Sequence, residues 1–226
     1  MATFVLIPGA GGAASYWHRV VPMLAERGHQ ATAVGLPGSD ERAGLDVYTA
    51  RVLDAIDGRR VVLVAQSLGG FTAAQVCARA SVEQLVFVNA MIPNPGETAG
   101  AWWDVTGSEK ARVAAAEARG YATTFDDETY FFHDVPKEVV EADKEEHAQA
   151  KIIFSEPCRF ERWPDVPMHV IVGKDDRFFP AQFQARVAKE RLGLSVDEIP
   201  GGHLVALSNP EGLVARLVAY VGSAPA

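Results

Sequence analysis

A chain of 226 residues, 48% of them hydrophobic, carries enough apolar side chain to close one substantial core, which excludes a disordered or fibrous chain. Lys and Arg number 21 against 29 Asp and Glu, a net charge of -8, and no stretch gathers the positive charges into a run, so a phosphate-tracking surface is excluded and no nucleic-acid partner is expected. Cys77 and Cys158, the two cysteines, have neither metal-ligand spacing nor the number for a disulfide framework, and read as free buried thiols.

The opening residues, MATFVLIPGAGG, lack the basic region of a secretory signal, and their apolar run is too short to span a bilayer. A soluble, cytoplasmic chain with no membrane partner is expected. A strand is predicted over residues 3–7, then a helix over 16–27, a strand over 30–34, a helix over 47–56, a strand over 60–65, a helix over 69–79 and a strand over 84–89. The pattern resumes with a strand over 168–173, a helix over 181–191, a strand over 195–199 and a helix over 210–220. Apolar runs of strand length that alternate with helices predict an α/β fold: an open, mostly parallel six-stranded sheet flanked by helices on both faces.

The alternation stops between residues 92 and 161, which divides the chain into a first core part (1–91), a helical cap insertion (92–161) and a second core part (162–226). Within the insertion, DVPKEVVEADKEEHAQA (134–150) reads as a helix with Asp134 as N-cap and Pro136 in the first turn. Trp102, Trp103, Tyr130, Phe131 and Phe132 supply its aromatic mass, and with Trp17 they are the candidates for an apolar substrate pocket.

The stretch VVLVAQSLGGFTAA (61–74) is a run of buried-strand residues that ends on a serine. Ala65, Gly69 and Gly70 around Ser67 permit the sharp strand-to-helix turn that exposes a nucleophile at the carboxyl edge of a sheet. The same turn places the Leu68 N–H at a helix N-terminus, where it can face an oxyanion. A serine hydroxyl needs an imidazole to take its proton and a carboxylate to orient that imidazole. His203 in IPGGHLVALSNPE, and Asp175 or Asp176 in VGKDDRFFP, both follow predicted strands, in the chain order acid before base. Ala10, after Pro8–Gly9 in the first loop, is the candidate for a second oxyanion donor. That loop lacks the Lys-Ser/Thr end of a P-loop and does not give G-x-G-x-x-G in register, so no dinucleotide is expected.

Together, LIPGAGGAASYWHRVVPMLAERGHQATAVGLPG, AQSLGG, GKDDRFFP and GGHLVALSNPE resemble the α/β-hydrolase superfamily, in particular the small esterases related to plant methyl esterases and hydroxynitrile lyases. The resemblance implies the α/β-hydrolase fold, Ser67 as nucleophile, His203 as base and, from the D-x-x-x-P spacing to Pro180, Asp176 as acid. It implies Ala10 and Leu68 as backbone oxyanion donors, and neither cofactor nor metal. Two positions depart from the pattern. Pro8 stands where the family usually has His, and Leu204 stands where the lyase branch has Lys, which disfavours lyase chemistry. The expected activity is hydrolysis of a small apolar or aromatic carboxylic ester. C–C or C–N cleavage on the same triad, or a receptor without turnover, are the alternatives, and the oligomeric state is not legible in the sequence.

Overall fold

The computed structural model describes residues 1–144 and 147–222. Its strands are β1 (Thr3–Ile7), β2 (Gln30–Ala33), β3 (Val61–Gln66), β4 (Val82–Val88), β5 (Met168–Gly173) and β6 (Asp197–Ile199). They form one sheet in the order β2-β1-β3-β4-β5-β6, and every pairing is parallel. The helices are α1 (Val20–Glu26), α2 (Leu45–Ile56), α3 (Gly69–Cys77), α4 (Ala99–Thr106), α5 (Ser108–Arg119), α6 (Lys137–Ala142), α7 (Ile152–Ser155), α8 (Ala181–Leu192), α9 (Val205–Ser208) and α10 (Pro210–Gly222).

Successive strand side chains alternate between two apolar layers. Val5, Ile7, Leu63, Ala65, Phe87 and Val172 bury against the side of α2, α3 and α8. Phe4, Leu6, Val62, Val64, Val86 and Ile171 bury against the side of α1 and α10. With both faces covered, β3 is buried at every position, which is why its sequence is a continuous apolar run instead of an alternating one. The chain starts at β1, steps out to β2, and returns to β3 on the other flank of β1, so the strand order reverses between β1 and β3. Their following helices lie on opposite faces, which opens a crevice at their carboxyl ends, the position where open α/β sheets bind ligands.

Several boundaries differ from the sequence expectation. The helix expected over 16–27 is split into a 3-10 turn (Ala14–Trp17) and α1. Pro22 is the cause: its ring excludes the carbonyl four residues back, so an α-helix cannot run through residue 18. A register shift at Val61/Val62 lets β4 begin at Val82. At the sheet edge β6 pairs with β5 over only Asp197–Ile199, two residues later than the expected start.

Between β4 and β5 the chain forms α4, α5, a π-helical turn (Glu128–Phe132), α6 and α7, here called the cap. The Thr98 side chain caps α4 by accepting from the Ala101 N–H at 3.0 Å, and Gly107, in the left-handed region at φ +67°, separates α4 from α5. The helix expected over 134–150 is limited to α6, which follows Pro136 and ends at Ala142. Glu145 and Glu146, part of that expectation, lie outside the described residues. Asp134 does not cap α6; its carboxylate accepts from the Gly202 N–H instead. Among the described residues no helix is long and apolar enough to cross a membrane.

Candidate active site

Ser67 occupies the turn from β3 into α3 at φ +49°, a left-handed conformation that costs a non-glycine residue about 1–3 kcal/mol and persists only where its surroundings enforce it. Enforcement here is by hydrogen bonds on both sides of the residue. The Ser67 N–H donates to Val88 O at 3.3 Å, and Ser67 O accepts from the N–H groups of Gly70 (3.1 Å) and Met91 (2.9 Å). The turn packs so closely that a Cβ on Gly70 would lie 1.8 Å from Met91 O, so only glycine fits there.

The structure brings Ser67, His203 and Asp176 together from three separate loops at strand carboxyl ends. His203 Nε2 lies 3.1 Å from Ser67 Oγ, and His203 Nδ1 lies 2.8 Å from Asp176 Oδ2. A carboxylate only accepts, so the imidazole proton belongs on Nδ1 and the lone pair of Nε2 faces the serine hydroxyl. Asp176 is fixed in turn: Oδ1 accepts from the N–H groups of Phe178 and Phe179, each at 2.8 Å, and Oδ2 accepts from Gln184 Nε2 at 3.2 Å. The neighbouring Asp175 points elsewhere, with Oδ2 accepting from the Gly201 N–H at 3.2 Å. The choice between adjacent acids left open by residue pattern alone therefore goes to Asp176.

The loop that carries His203 is pinned by side chains that the sequence reading gave no role at the site. Asn89 Nδ2 donates to Gly202 O at 2.9 Å and to His203 O at 3.1 Å, while Asn89 Oδ1 accepts from the Gly173 N–H at 2.7 Å. Gln66 Nε2 adds a bond to His203 O at 3.3 Å. From the cap side, Asp134 Oδ2 accepts from the Gly202 N–H at 2.6 Å. Beside it, burial holds the His133 imidazole below its ordinary pKa. The place of Asn89 at the end of the strand expected over 84–89 was the one sequence signal available; the structure ends that strand at Val88, and the other contacts join segments far apart in the chain.

Ala10 and Leu68 both present backbone N–H groups that have no hydrogen-bond acceptor among the described residues. Leu68 stands at the N-terminus of α3, where the partial positive charge of a helix end is found. Next to Ala10, the Gly11 N–H donates to Gln149 Oε1 of the cap at 3.0 Å, which holds the first loop in place.

The aromatic candidates divide. Trp17, Trp102 and Tyr130 are fully buried and present no surface to a ligand, which corrects their assignment as substrate contacts. Trp17 packs in the layer under α1 and α10, Trp102 Nε1 donates to Ile92 O, and the Tyr130 hydroxyl donates to Ala122 O. Phe131 does reach the site and stacks on His203, with ring centroids 5.2 Å apart. Phe178 and Phe179, which follow Asp176 directly, meet the same imidazole edge-on at 5.1 and 5.2 Å. Trp103 packs against both of them. Phe132 lines a groove of about 490 Å³ with Ser15, Val139, Val140 and Leu207, apart from Ser67 and His203.

A model described as "Alpha/beta hydrolase family" matches residues 4–217 of the chain. "Probable esterase PIR7A" of Oryza sativa subsp. indica is 36% identical over 110 residues, a stretch that covers 43% of this chain and 42% of the relative, so the chain matches less than half of that protein's length. "Alpha-hydroxynitrile lyase" of Arabidopsis thaliana is 25% identical over 247 residues, covering 96% of this chain and 95% of the relative. The crystal structure of polyneuridine aldehyde esterase superimposes with a TM-score of 0.79 at 20% identity, over 98% of this chain and 99% of that one. At that identity the likeness speaks for the fold.

Proposed function

The chain belongs to the Alpha/beta hydrolase family, and from that premise we propose that it hydrolyses a small carboxylic ester through an acyl-enzyme on Ser67. The observation that carries this reading is the hydrogen-bonded series Ser67 Oγ, His203 Nε2, His203 Nδ1 and Asp176 Oδ2, at 3.1 and 2.8 Å, beside two N–H groups free to take an oxyanion.

Ser67 Oγ attacks the carbonyl carbon as its proton passes to His203 Nε2. Charge then develops on the carbonyl oxygen, where the Leu68 and Ala10 N–H groups stabilise it without reorganisation. Collapse breaks the bond to the alcohol oxygen, which leaves with the proton from Nε2. A water molecule attacks the acyl-enzyme, gives its proton to Nε2, and the second collapse releases the acid while the proton returns to Oγ. Asp176 keeps the Nδ1 proton in place through both halves and stabilises the imidazolium.

An apolar or aromatic ester is the substrate class this reading favours. Phe131, Phe178 and Phe179 gather around His203, with Trp103 packed against Phe178 and Phe179, and apolar walls with few fixing groups are typical of pockets for such ligands. Leu204 follows His203 where a cyanohydrin lyase would carry a lysine, so ester cleavage is preferred to lyase chemistry. The thiols of Cys77 and Cys158 are unpaired, in keeping with a cytoplasmic location.

The test is turnover of p-nitrophenyl esters together with labelling by a fluorophosphonate probe. Wild-type protein is expected to turn over and to label on Ser67, and Ser67→Ala to lose labelling and about 10⁴- to 10⁶-fold in kcat. Equal turnover in the mutant would refute the assignment.

A further inference from the structure

We propose that Asp134, on the cap, is a positioning residue that fixes the base by holding the peptide immediately before it; this rests on reading His203 as the general base. Gly202 is gripped from two sides. Its carbonyl accepts from Asn89 Nδ2 at 2.9 Å on the core side, and its N–H donates to Asp134 Oδ2 at 2.6 Å on the cap side. The core therefore fixes one face of the 202 backbone and the cap fixes the other, and the orientation of the next side chain, His203, follows from both.

Other roles for Asp134 fail on geometry. It does not cap α6, which begins after Pro136 and has no side-chain cap. It is not held by a strong ion pair: the one basic group within 4 Å among the described residues is His133 Nε2 at 3.8 Å, on an imidazole whose pKa burial lowers. Its Oδ1 makes no direct hydrogen bond among the described residues, on a side chain that is 23% exposed. What the charge does supply is a bond to a backbone N–H that is shorter and about twice as strong as a neutral one.

The same segment touches the base a second time. Phe131, three residues earlier, stacks on the imidazole, and the turn between them is closed by the Val135 N–H bonding to Phe132 O at 3.0 Å. Gly202 leaves no slack on its side: a Cβ there would lie 2.7 Å from Asp134 Oδ1 and 2.8 Å from His133 Nε2. Residues 131–134 thus act as a bracket from the cap onto the base, with the ring setting the plane of the imidazole and the carboxylate setting its root.

The experiment compares wild type with Asp134→Ala, Asp134→Ser and Asp134→Asn, using p-nitrophenyl acetate kinetics, thermal melting and NMR exchange of the Gly202 amide and the His203 Nδ1 proton. For Ala and Ser, which cannot reach Gly202, kcat should fall about 10- to 100-fold with KM within about 2-fold, as displacement of a catalytic group on the order of 1 Å does. The Gly202 amide should then exchange about 10-fold faster or more, in proportion to loss of the bond that shields it, and the His203 Nδ1 proton should also exchange faster as its alignment with Asp176 loosens. Asn keeps an oxygen acceptor and should restore kcat to within about 3-fold of wild type, the weaker neutral bond accounting for the remainder. Wild-type kcat in a folded Ala or Ser variant overturns the proposal, as does a loss of kcat with Gly202 exchange unchanged. Should Ala not fold, the Ser and Asn pair decides in the same way. If wild type turns over no ester, the proposed activity fails while the two exchange rates still accept or reject the role of Asp134.

Discussion

Phe131 lies over the imidazole of His203 with its plane inclined by only 24° and its centroid 5.2 Å away. The ring belongs to the cap and the imidazole to the core, so the stack joins the two at the point of chemistry. As His203 gains a proton in the transition state, the electron-rich face of Phe131 meets a cation, an interaction worth about 0.5–2 kcal/mol. Phe131→Leu keeps an apolar side chain and removes that face. Its kcat should fall about 2- to 30-fold, the same free energy read as rate, with a melting temperature close to wild type. Unchanged kcat would show that the ring only fills space.

The adjacent acids should behave oppositely. Asp176→Asn removes the acceptor that fixes the Nδ1 proton and should reduce kcat by about 10⁴-fold. Asp175→Asn alters only a loop contact to Gly201 and should stay within about 10-fold of wild type, as a change away from the reacting groups does. Steady-state kinetics on the two purified variants decides, and a reversal of their order would reassign the acid.

Gly173, the last residue of β5, lies directly beneath the loop of the base. A Cβ there would approach Gly201 O to 2.4 Å and Gly202 O to 2.6 Å. Gly173→Ala must therefore displace that loop, at an overpacking cost of about 1–3 kcal/mol. The melting temperature and kcat should fall together, whereas a wild-type melting curve would mean that the loop yields without cost.

Burial pushes the thiols of Cys77 and Cys158 up to about 12. Neither carries appreciable thiolate at pH 8, so both should resist alkylation in the folded protein and react at once in denaturant. Iodoacetamide labelling followed by mass spectrometry checks this. In the unfolded chain the same thiols ionise from about pH 9, so their contribution to stability is complete below that pH and is lost as pH rises toward 12.

His169 stacks on Tyr220 with centroids 3.7 Å apart and planes within 8°. Burial lowers its pKa from the ordinary 6.5, so the unfolded chain takes up the proton first as the solution is acidified. The stabilisation is present above pH 6.5 and is lost as pH falls below it. His169→Phe preserves a stacked ring without a titrating group and should flatten the fall in melting temperature between pH 7 and about 5, while wild type keeps its slope. Parallel slopes in the two proteins would assign the acid sensitivity elsewhere.

What the sequence revealed follows from which signals are local. β3 and the turn at Ser67 were legible because a fully buried parallel strand and a sharp turn each impose composition on consecutive residues. The placements of His203 and of the Asp175–Asp176 pair were legible because both follow strands, and the strand ends define the edge of the sheet; the spacing to Pro180 then singled out Asp176. Phe131, Asp134, Asn89 and Gln149 were not, or only as undifferentiated candidates. Each acts across the fold on a backbone group or ring distant in the chain, and no periodicity encodes such a contact. Trp17 and Trp102 misled for a related reason: neither nearness in the chain to the first loop, for Trp17, nor membership of an aromatic-rich insertion, for Trp102, says which way a large ring faces.

Ser67 and His203 are only 8% and 2% exposed, although the reaction proposed for them needs both a substrate and a water. Were reaction to require the cap to stand away from the core, the apparent affinity of any ligand would be weakened by the fraction of molecules in which it does. Entry and release would then compete with chemistry for the slow step. Solvent viscosity would then slow turnover even where chemistry is fast. Variants that loosen the cap would gain in product release what they lose in the precision of the base.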